Sequence, residues 1–277
     1  MFLLTEYPDS ILSSWNEHTD VLLGLVVIQA AYLLCVGPLR KRYGLAESLD
    51  AKEALCFTMG VLSIYLVLLS PIHVLADQYL FSVHMFQHVV LTLIAPPLLI
   101  IGVPSWLLRP IIRPYAIYRL ARIMTSPLIT FALFNFVFAL WHLPVIYGLS
   151  MTNHDIHIIE HLMFMSAALL MWWPIASHMP ELPRLSYPLM MIYLFSLSIA
   201  QIVVFGLVTF SPDPLYQWYV DAPRLWPISP LVDQQIGGII MKVGGSLIFI
   251  TLIITVFFRW FNLEEKPGDS GPMDSRI

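Results

Sequence analysis

The feature that most limits how this chain can fold is a series of seven long apolar runs. A transmembrane helix needs about 20 apolar residues to cross ~30 Å of hydrocarbon, and backbone groups in lipid must find hydrogen-bond partners within their own segment. We therefore predict an all-α fold, a polytopic membrane helix bundle with seven transmembrane helices. The predicted spans are 20–38, 53–71, 79–102, 127–147, 156–176, 187–210 and 236–259.

Composition agrees with this class. Only 12% of the residues are charged, whereas soluble domains carry roughly 25%. The chain has no basic patch with interleaved aromatic residues, so we expect no nucleic acid among its partners. We expect a transmembrane domain at 20–260, preceded by an extracytoplasmic segment at 1–19 and followed by a disordered cytoplasmic tail at 261–277. Within the third run, Pro96 and Pro97 should kink or end the helix.

The lysine and arginine residues predict the orientation of the bundle. Twelve of the 14 fall in loops or terminal segments that seven spans place on one side of the membrane, and the others are Arg224 and Lys242. The positive-inside rule puts this basic side in the cytoplasm. The N-terminus is therefore predicted outside and the C-terminus in the cytoplasm.

Five histidines should lie at a similar depth, in the outer half of the bundle. His84 and His88 lie on the third span, His142 near the outer end of the fourth, and His157 and His161 on the fifth. Residues four apart share a helix face, so each pair can offer two ring nitrogens to one metal ion or one nitrogen to each of two. Ionisable residues within a membrane usually face the interior and mark function. Interhelical hydrogen bonding is the alternative role for these rings.

Other side chains can reach the same layer. Met85 offers a thioether, and Glu160 could orient a ligand histidine. The last span begins with Asp233 and Gln234 and continues through paired glycines to Met241. Small residues at this spacing let a neighbouring helix approach closely. We therefore expect the last helix to pack against the histidines, with these three side chains near them.

Several motifs in this order resemble the caa3-type cytochrome c oxidase assembly factors of the CtaG-like seven-helix membrane family. They are "SVHMFQHVVL", "WHLPVIY", "HDIHIIEHLMF", "MWWP" and "DQQIGGIIMK". The resemblance implies a protein of the bacterial inner membrane that assists assembly of a haem-copper oxidase and handles copper for its active site. The motif residues that carry over are His84, His88, His142, His157, His161, Asp233, Gln234 and Met241. Lys242 stands where the family usually has an aromatic residue.

The predicted cargo is copper, as Cu(I), because imidazole suits copper and zinc and a thioether adds preference for Cu(I). The predicted partners are a subunit of a haem-copper oxidase and the lipid bilayer. On this hypothesis the protein is not an enzyme.

Two alternatives stay open at this point. The stretch "HIIEH" at 157–161 fits the H-x-x-E-H pattern of inverted zinc peptidases, which would make the protein a membrane zinc metallohydrolase with Glu160 as general base. Histidines from different helices could instead be axial ligands of haem. A transporter is less favoured, because the chain lacks a paired broken-helix signature.

Overall fold

The computed structural model describes Trp15 and residues 18–46 and 48–265, and all regular structure in these residues is helical. The predicted segment 1–19 therefore lies almost entirely outside the described residues, as does most of the predicted tail 261–277. The last helix continues to Glu264, so the first residues assigned to the tail are helical instead. Residues 261–264, of which two are apolar and two polar, extend the helix by one turn.

Twelve helices follow one another along the described part of the chain. They are α1 (Thr19–Tyr43), α2 (Ala51–Leu68), α3 (Pro71–Gln78), α4 (Phe81–Gly102), α5 (Ser105–Ile112), α6 (Tyr115–Met124), α7 (Pro127–Trp141), α8 (Pro144–Thr152), α9 (His154–Ala176), α10 (Tyr187–Phe210), α11 (Gln217–Asp221) and α12 (Pro230–Glu264).

Six of these helices are long and apolar enough to cross a membrane. A seventh span is obtained if α6 and α7, which are bent by 64° at the break between them, are taken together. The predicted class, an all-α polytopic membrane bundle, is confirmed with six to seven spans. The direction in which the termini face stays a prediction.

Prolines near the ends of two predicted runs begin new helices. The fourth run was expected to continue to residue 147, but α7 ends at Trp141 and α8 begins at Pro144. The second run ends at Leu68, and α3 begins at Pro71 after Ser70, whose hydroxyl caps the new helix. Proline is well tolerated in a first helical turn because it lacks only an N–H group that has no partner there.

Helix α4 is the centre of the bundle. It packs against α2, α3, α9 and α12, and 67% of its most apolar stretch is buried, against at most 39% for the other spans. Of the two outcomes predicted for Pro96 and Pro97, a kink or an end of the helix, the end does not occur, because the helix continues to Gly102. A π-helical segment at Val90–Ile94 stands directly before them. Such segments are common at functional sites, and this one begins two residues after His88.

Helix α12 approaches α4 as closely as its glycines predicted. A Cβ atom on Gly237 would lie 2.5 Å from the ring of Phe81, so only glycine fits at this contact. At the start of the helix, Asp233 accepts hydrogen bonds from the backbone amides of Phe81 (2.7 Å) and Ser82 (3.2 Å). These amides belong to the first turn of α4, where the backbone N–H groups have no hydrogen-bond partners within the helix. The carboxylate of α12 thereby caps the helix that carries His84 and His88.

Candidate metal centre

Three histidines from two helices meet in the interior of the bundle. His84 and His88 lie one turn apart on α4, and His161 faces them from α9. One nitrogen from each ring lies within 4.8 Å of the others. The ring centroids of His88 and His161 are 5.7 Å apart, and those of His84 and His88 are 4.5 Å apart. We refer to these three residues as the central triad.

The rings on α4 are buried without hydrogen bonds. His84 is 0% exposed and His88 is 5% exposed, and neither nitrogen of either ring has a hydrogen-bond partner among the described residues. An unpaired buried polar group costs roughly 1–3 kcal/mol, so buried imidazoles are normally bonded. Each neutral ring has one nitrogen with a free lone pair, so the two rings together offer two donors of the kind that a metal ion binds.

A second group adjoins the central triad and shares His84 with it. It consists of Asp77, His84 and His157, whose ligand atoms also lie within 4.8 Å of one another. Asp77 Oδ1 is 3.6 Å from His84 Nδ1 and 3.9 Å from His157 Nε2. Asp77 was not predicted as a site residue, because α3 has only 8 residues and is too short to be a span. The i,i+4 spacing of His73 and Asp77 was the signal that could have found it.

His73 lies beside this second group but uses both of its nitrogens in hydrogen bonds. The Gln87 amide nitrogen donates to the Val67 carbonyl (2.7 Å) and to His73 Nδ1 (3.0 Å). Burial lowers the pKa of His73 to about 4, although the Asp77 carboxylate acts to raise it. The ring is therefore neutral near pH 7, with its proton on Nε2. That nitrogen lies 2.8 Å from His18 Nε2 and 3.3 Å from Asp77 Oδ2.

His142 and Met241 form a pair of facing electron-pair donors. His142 Nδ1 lies 2.6 Å from the carbonyl oxygen of Phe138, which can only accept, so the proton of the neutral ring is on Nδ1. Nε2 therefore presents a lone pair to the Met241 sulfur, 3.3 Å away. Nitrogen and thioether donors together are a ligand type that suits Cu(I). Met241 and His88 line the same cavity, of about 20 Å³.

Glu160 lies between the two histidines of α9 in sequence but faces α4. Its side chain is 0% exposed, and its Oε1 is 3.7 Å from His88 Nε2. A carboxylate at this distance can orient a ligand histidine.

The other predicted site residues are buried elsewhere. Gln234 accepts from the Leu215 amide (2.6 Å) and donates to the Val208 carbonyl (2.9 Å), and Asp233 caps α4. The Met85 side chain packs near Gly237. These three residues hold the bundle around the histidines, and we do not carry them forward as ligands. Lys242 donates to the Ser198 carbonyl (2.7 Å), next to the break in α10 at Gln201.

Aromatic residues of α11 hold α3, and hence Asp77, in place. The Tyr219 hydroxyl donates to the Ala76 carbonyl (2.6 Å), and the Trp218 indole donates to the Asp77 carbonyl (2.6 Å). The Tyr147 hydroxyl lies 2.9 Å from that of Tyr219. Burial raises the pKa of Tyr219 well above its usual value, so both phenols stay protonated and available for these bonds.

Comparison with known proteins identifies the family. A family model described as cytochrome c oxidase caa3 assembly factor (Caa3_CtaG) matches residues 30–262. No curated protein and no solved structure matches the chain. The matched range includes the central triad, Asp77, His142, His157 and Met241, whereas His18 lies before it. Because the match covers most of the chain, the protein belongs to the caa3-type cytochrome c oxidase assembly factor family.

Proposed function

We propose that this protein assists assembly of a haem-copper oxidase by holding copper at the central triad of His84, His88 and His161 and passing it to an oxidase subunit in a bacterial inner membrane. The observation that carries the proposal is the burial of the His84 and His88 rings with all four nitrogens unpaired. Copper is the cargo, and His142 and Met241 supply further nitrogen and sulfur donors beside His88. The soft sulfur donor favours the Cu(I) state.

The ligand number at the central triad suits transfer better than storage. Structural sites usually enclose a metal ion with four protein ligands, whereas sites with three protein ligands keep an open position. An open position lets an incoming donor bind the ion before a triad histidine leaves it. Delivery to a partner by direct contact can therefore proceed by ligand exchange, without release of free copper.

The two alternative functions fit the geometry less well. The cavities beside the histidines have volumes of about 20 and 40 Å³, whereas pockets for larger ligands measure roughly 300–1,000 Å³, so a haem has no room. For a hydrolase, Glu160 would have to meet a substrate and a metal-bound water. Its fully buried side chain instead faces His88.

Copper binding by the purified protein tests the proposal. Competition with a chromophoric Cu(I) chelator, in detergent under reducing conditions, should show binding by the wild type. We expect His88→Ala and His161→Ala to weaken it at least tenfold, because each removes one of three ligands.

The matched control is His178→Ala. His178 lies outside the central triad, and its Nε2 is 3.0 Å from the Val103 carbonyl. This substitution should leave Cu(I) affinity unchanged. Cells that carry His88→Ala in place of the wild type should make the oxidase polypeptides normally but contain less active oxidase under limiting copper. Unchanged Cu(I) affinity in both triad variants would refute the proposed site.

A further inference from the structure

We infer that Asp77, His84 and His157 form a second metal position, for a divalent ion of the zinc or cobalt type, whose occupation excludes Cu(I) from the central triad. The competition rests on the proposed function, whereas the second position is defined by Asp77 and His157 together with the shared His84. It would make the protein's copper loading sensitive to divalent metal ions.

The donor atoms of this position converge, and those of Asp77 and His84 have no hydrogen-bond partner, whereas His157 Nε2 contacts His161 Nε2. Asp77 Oδ1 is buried and has no hydrogen-bond partner among the described residues, and the same holds for both nitrogens of His84. His157 Nε2 lies 3.9 Å from Asp77 Oδ1 and 3.3 Å from His161 Nε2. The backbone of Asp77 is fixed by the indole of Trp218. The carboxylate is therefore held in a defined place, as a ligand must be.

The type of donor sets the type of ion. Two imidazoles and one carboxylate suit zinc and similar divalent ions, whereas Cu(I) prefers softer donors. The central triad consists of three imidazoles, with the Glu160 carboxylate 3.7 Å from His88 Nε2, and the Met241 thioether lines the same cavity as His88. The two positions thus differ in chemistry as well as in place.

His73 is not a ligand of this position, although it lies beside it. Gln87 holds the His73 proton on Nε2, where it faces His18 Nε2 and Asp77 Oδ2. That N–H group can orient the carboxylate, as outer-sphere partners of metal ligands commonly do. Its role is to position Asp77.

The second position is also the one that adjoins the surface. Asp77 is 23% exposed and lines a cavity of about 40 Å³ together with His18, His154 and His157. His154 is exposed, and its ring stacks on that of His18 at 5.3 Å. An ion arriving from this side meets Asp77 before it meets His88, which is 5% exposed.

Because both positions use His84, only one of them can hold a metal ion at a time. A neutral imidazole has one nitrogen with a free lone pair, because the other carries the proton. His84 can therefore bind one ion at a time, and two cations this close would also repel one another. Occupation of one position should weaken the other rather than assist it.

Titration of the metal-free full-length protein with Co(II), followed by its visible absorbance, tests the second position. We expect the wild type and His88→Ala to bind Co(II), and Asp77→Asn and His84→Ala to lose at least tenfold in affinity. In the wild type, Co(II) at ten times its own Kd should raise the apparent Kd for Cu(I) about tenfold. In Asp77→Asn, Cu(I) affinity should match the wild type and no longer respond to Co(II).

Each result bears on one of the two sites. Undiminished Co(II) binding by Asp77→Asn, no Co(II) binding by the wild type, or simultaneous binding without competition would overturn the inference. If the wild type binds no Cu(I) at the triad but shows Asp77-dependent Co(II) binding, the proposed function would be overturned and the second position would stand. Thermal unfolding of each variant shows whether it folds, and His178→Ala is again the control.

Discussion

At the scale of single residues, the contact of His142 with Met241 is the most specific to soft-metal chemistry. Both atoms offer lone pairs, and no proton lies between them in the neutral state because the Phe138 carbonyl holds the His142 proton on Nδ1. Two facing acceptors repel weakly, whereas a Cu(I) ion near them would be attracted to both. We therefore propose that the pair favours Cu(I) over harder ions.

Met241→Leu should weaken Cu(I) binding about tenfold, equal to about 1.4 kcal/mol, because leucine has no lone pair. Leucine has a similar volume, so the free energy of unfolding should fall by less than about 1.5 kcal/mol. Co(II) binding should stay unchanged. Chelator competition and the Co(II) spectrum measure both affinities.

Met85→Leu is the matched control for this change. Met85 is 0% exposed and packs near Gly237. It should leave Cu(I) affinity unaltered. Equal affinities for the two leucine variants would show that the Met241 sulfur does not contact copper.

The residues of the site were predictable where one helix places them. The pairs His84/His88 and His157/His161 follow from i,i+4 spacing on apolar runs, so the sequence alone brings them to one face. Asp77 comes from a short helix between spans, and its contact with His84 depends on how α3 folds back over α4. Hydrophobic periodicity carries no information on that turn.

At the scale of elements, the close approach of α12 to α4 holds the site together. Gly237 admits the Phe81 ring, and Asp233 caps the first turn of α4. The π-helical segment Ile240–Gly244, which contains Met241, follows one turn later. Loss of the close contact would therefore displace both His84 and Met241.

Gly237→Ala should destabilise the protein by about 1–3 kcal/mol, the usual cost of overpacking. The added Cβ would lie 2.5 Å from the Phe81 ring, so one helix has to move. Gly206→Ala is the control, because a Cβ there has no atom within 4 Å. It should be neutral or slightly stabilising. Thermal unfolding in detergent compares the two, and equal midpoints would contradict the tight α4–α12 contact.

The membrane helices were predictable from the lengths of the apolar runs. The runs predicted where the membrane helices lie, because lipid exposure demands about 20 apolar residues. The breaks were less predictable, since a proline can end a helix or be absorbed in it. Pro144 starts a new helix, whereas Pro96 and Pro97 follow a π-helical segment within a continuous one. Local packing decides between these outcomes.

At the scale of the whole molecule, the histidines form a continuous row. It passes from exposed His154 through His18 and His73 to the rings of His157 and His84, with successive centroids 4.7 to 6.1 Å apart. His88 continues the row into the interior at 4.5 Å from His84. On the proposed function, an ion would enter at the exposed end of the row, so the orientation of the bundle would decide which compartment supplies the metal.

The predicted orientation puts the exposed end outside the cytoplasm, and cysteine labelling in intact cells tests it. Cys35 and Cys56 are first replaced by serine, and a single cysteine is then introduced as Asp213→Cys, between α10 and α11, or as Glu181→Cys, between α9 and α10. These positions lie at opposite ends of α10, so the membrane should separate them. A membrane-impermeant maleimide should label the first variant before lysis and the second only after it. The reverse pattern would place the row's exposed end in the cytoplasm, and copper would then have to be drawn from that side.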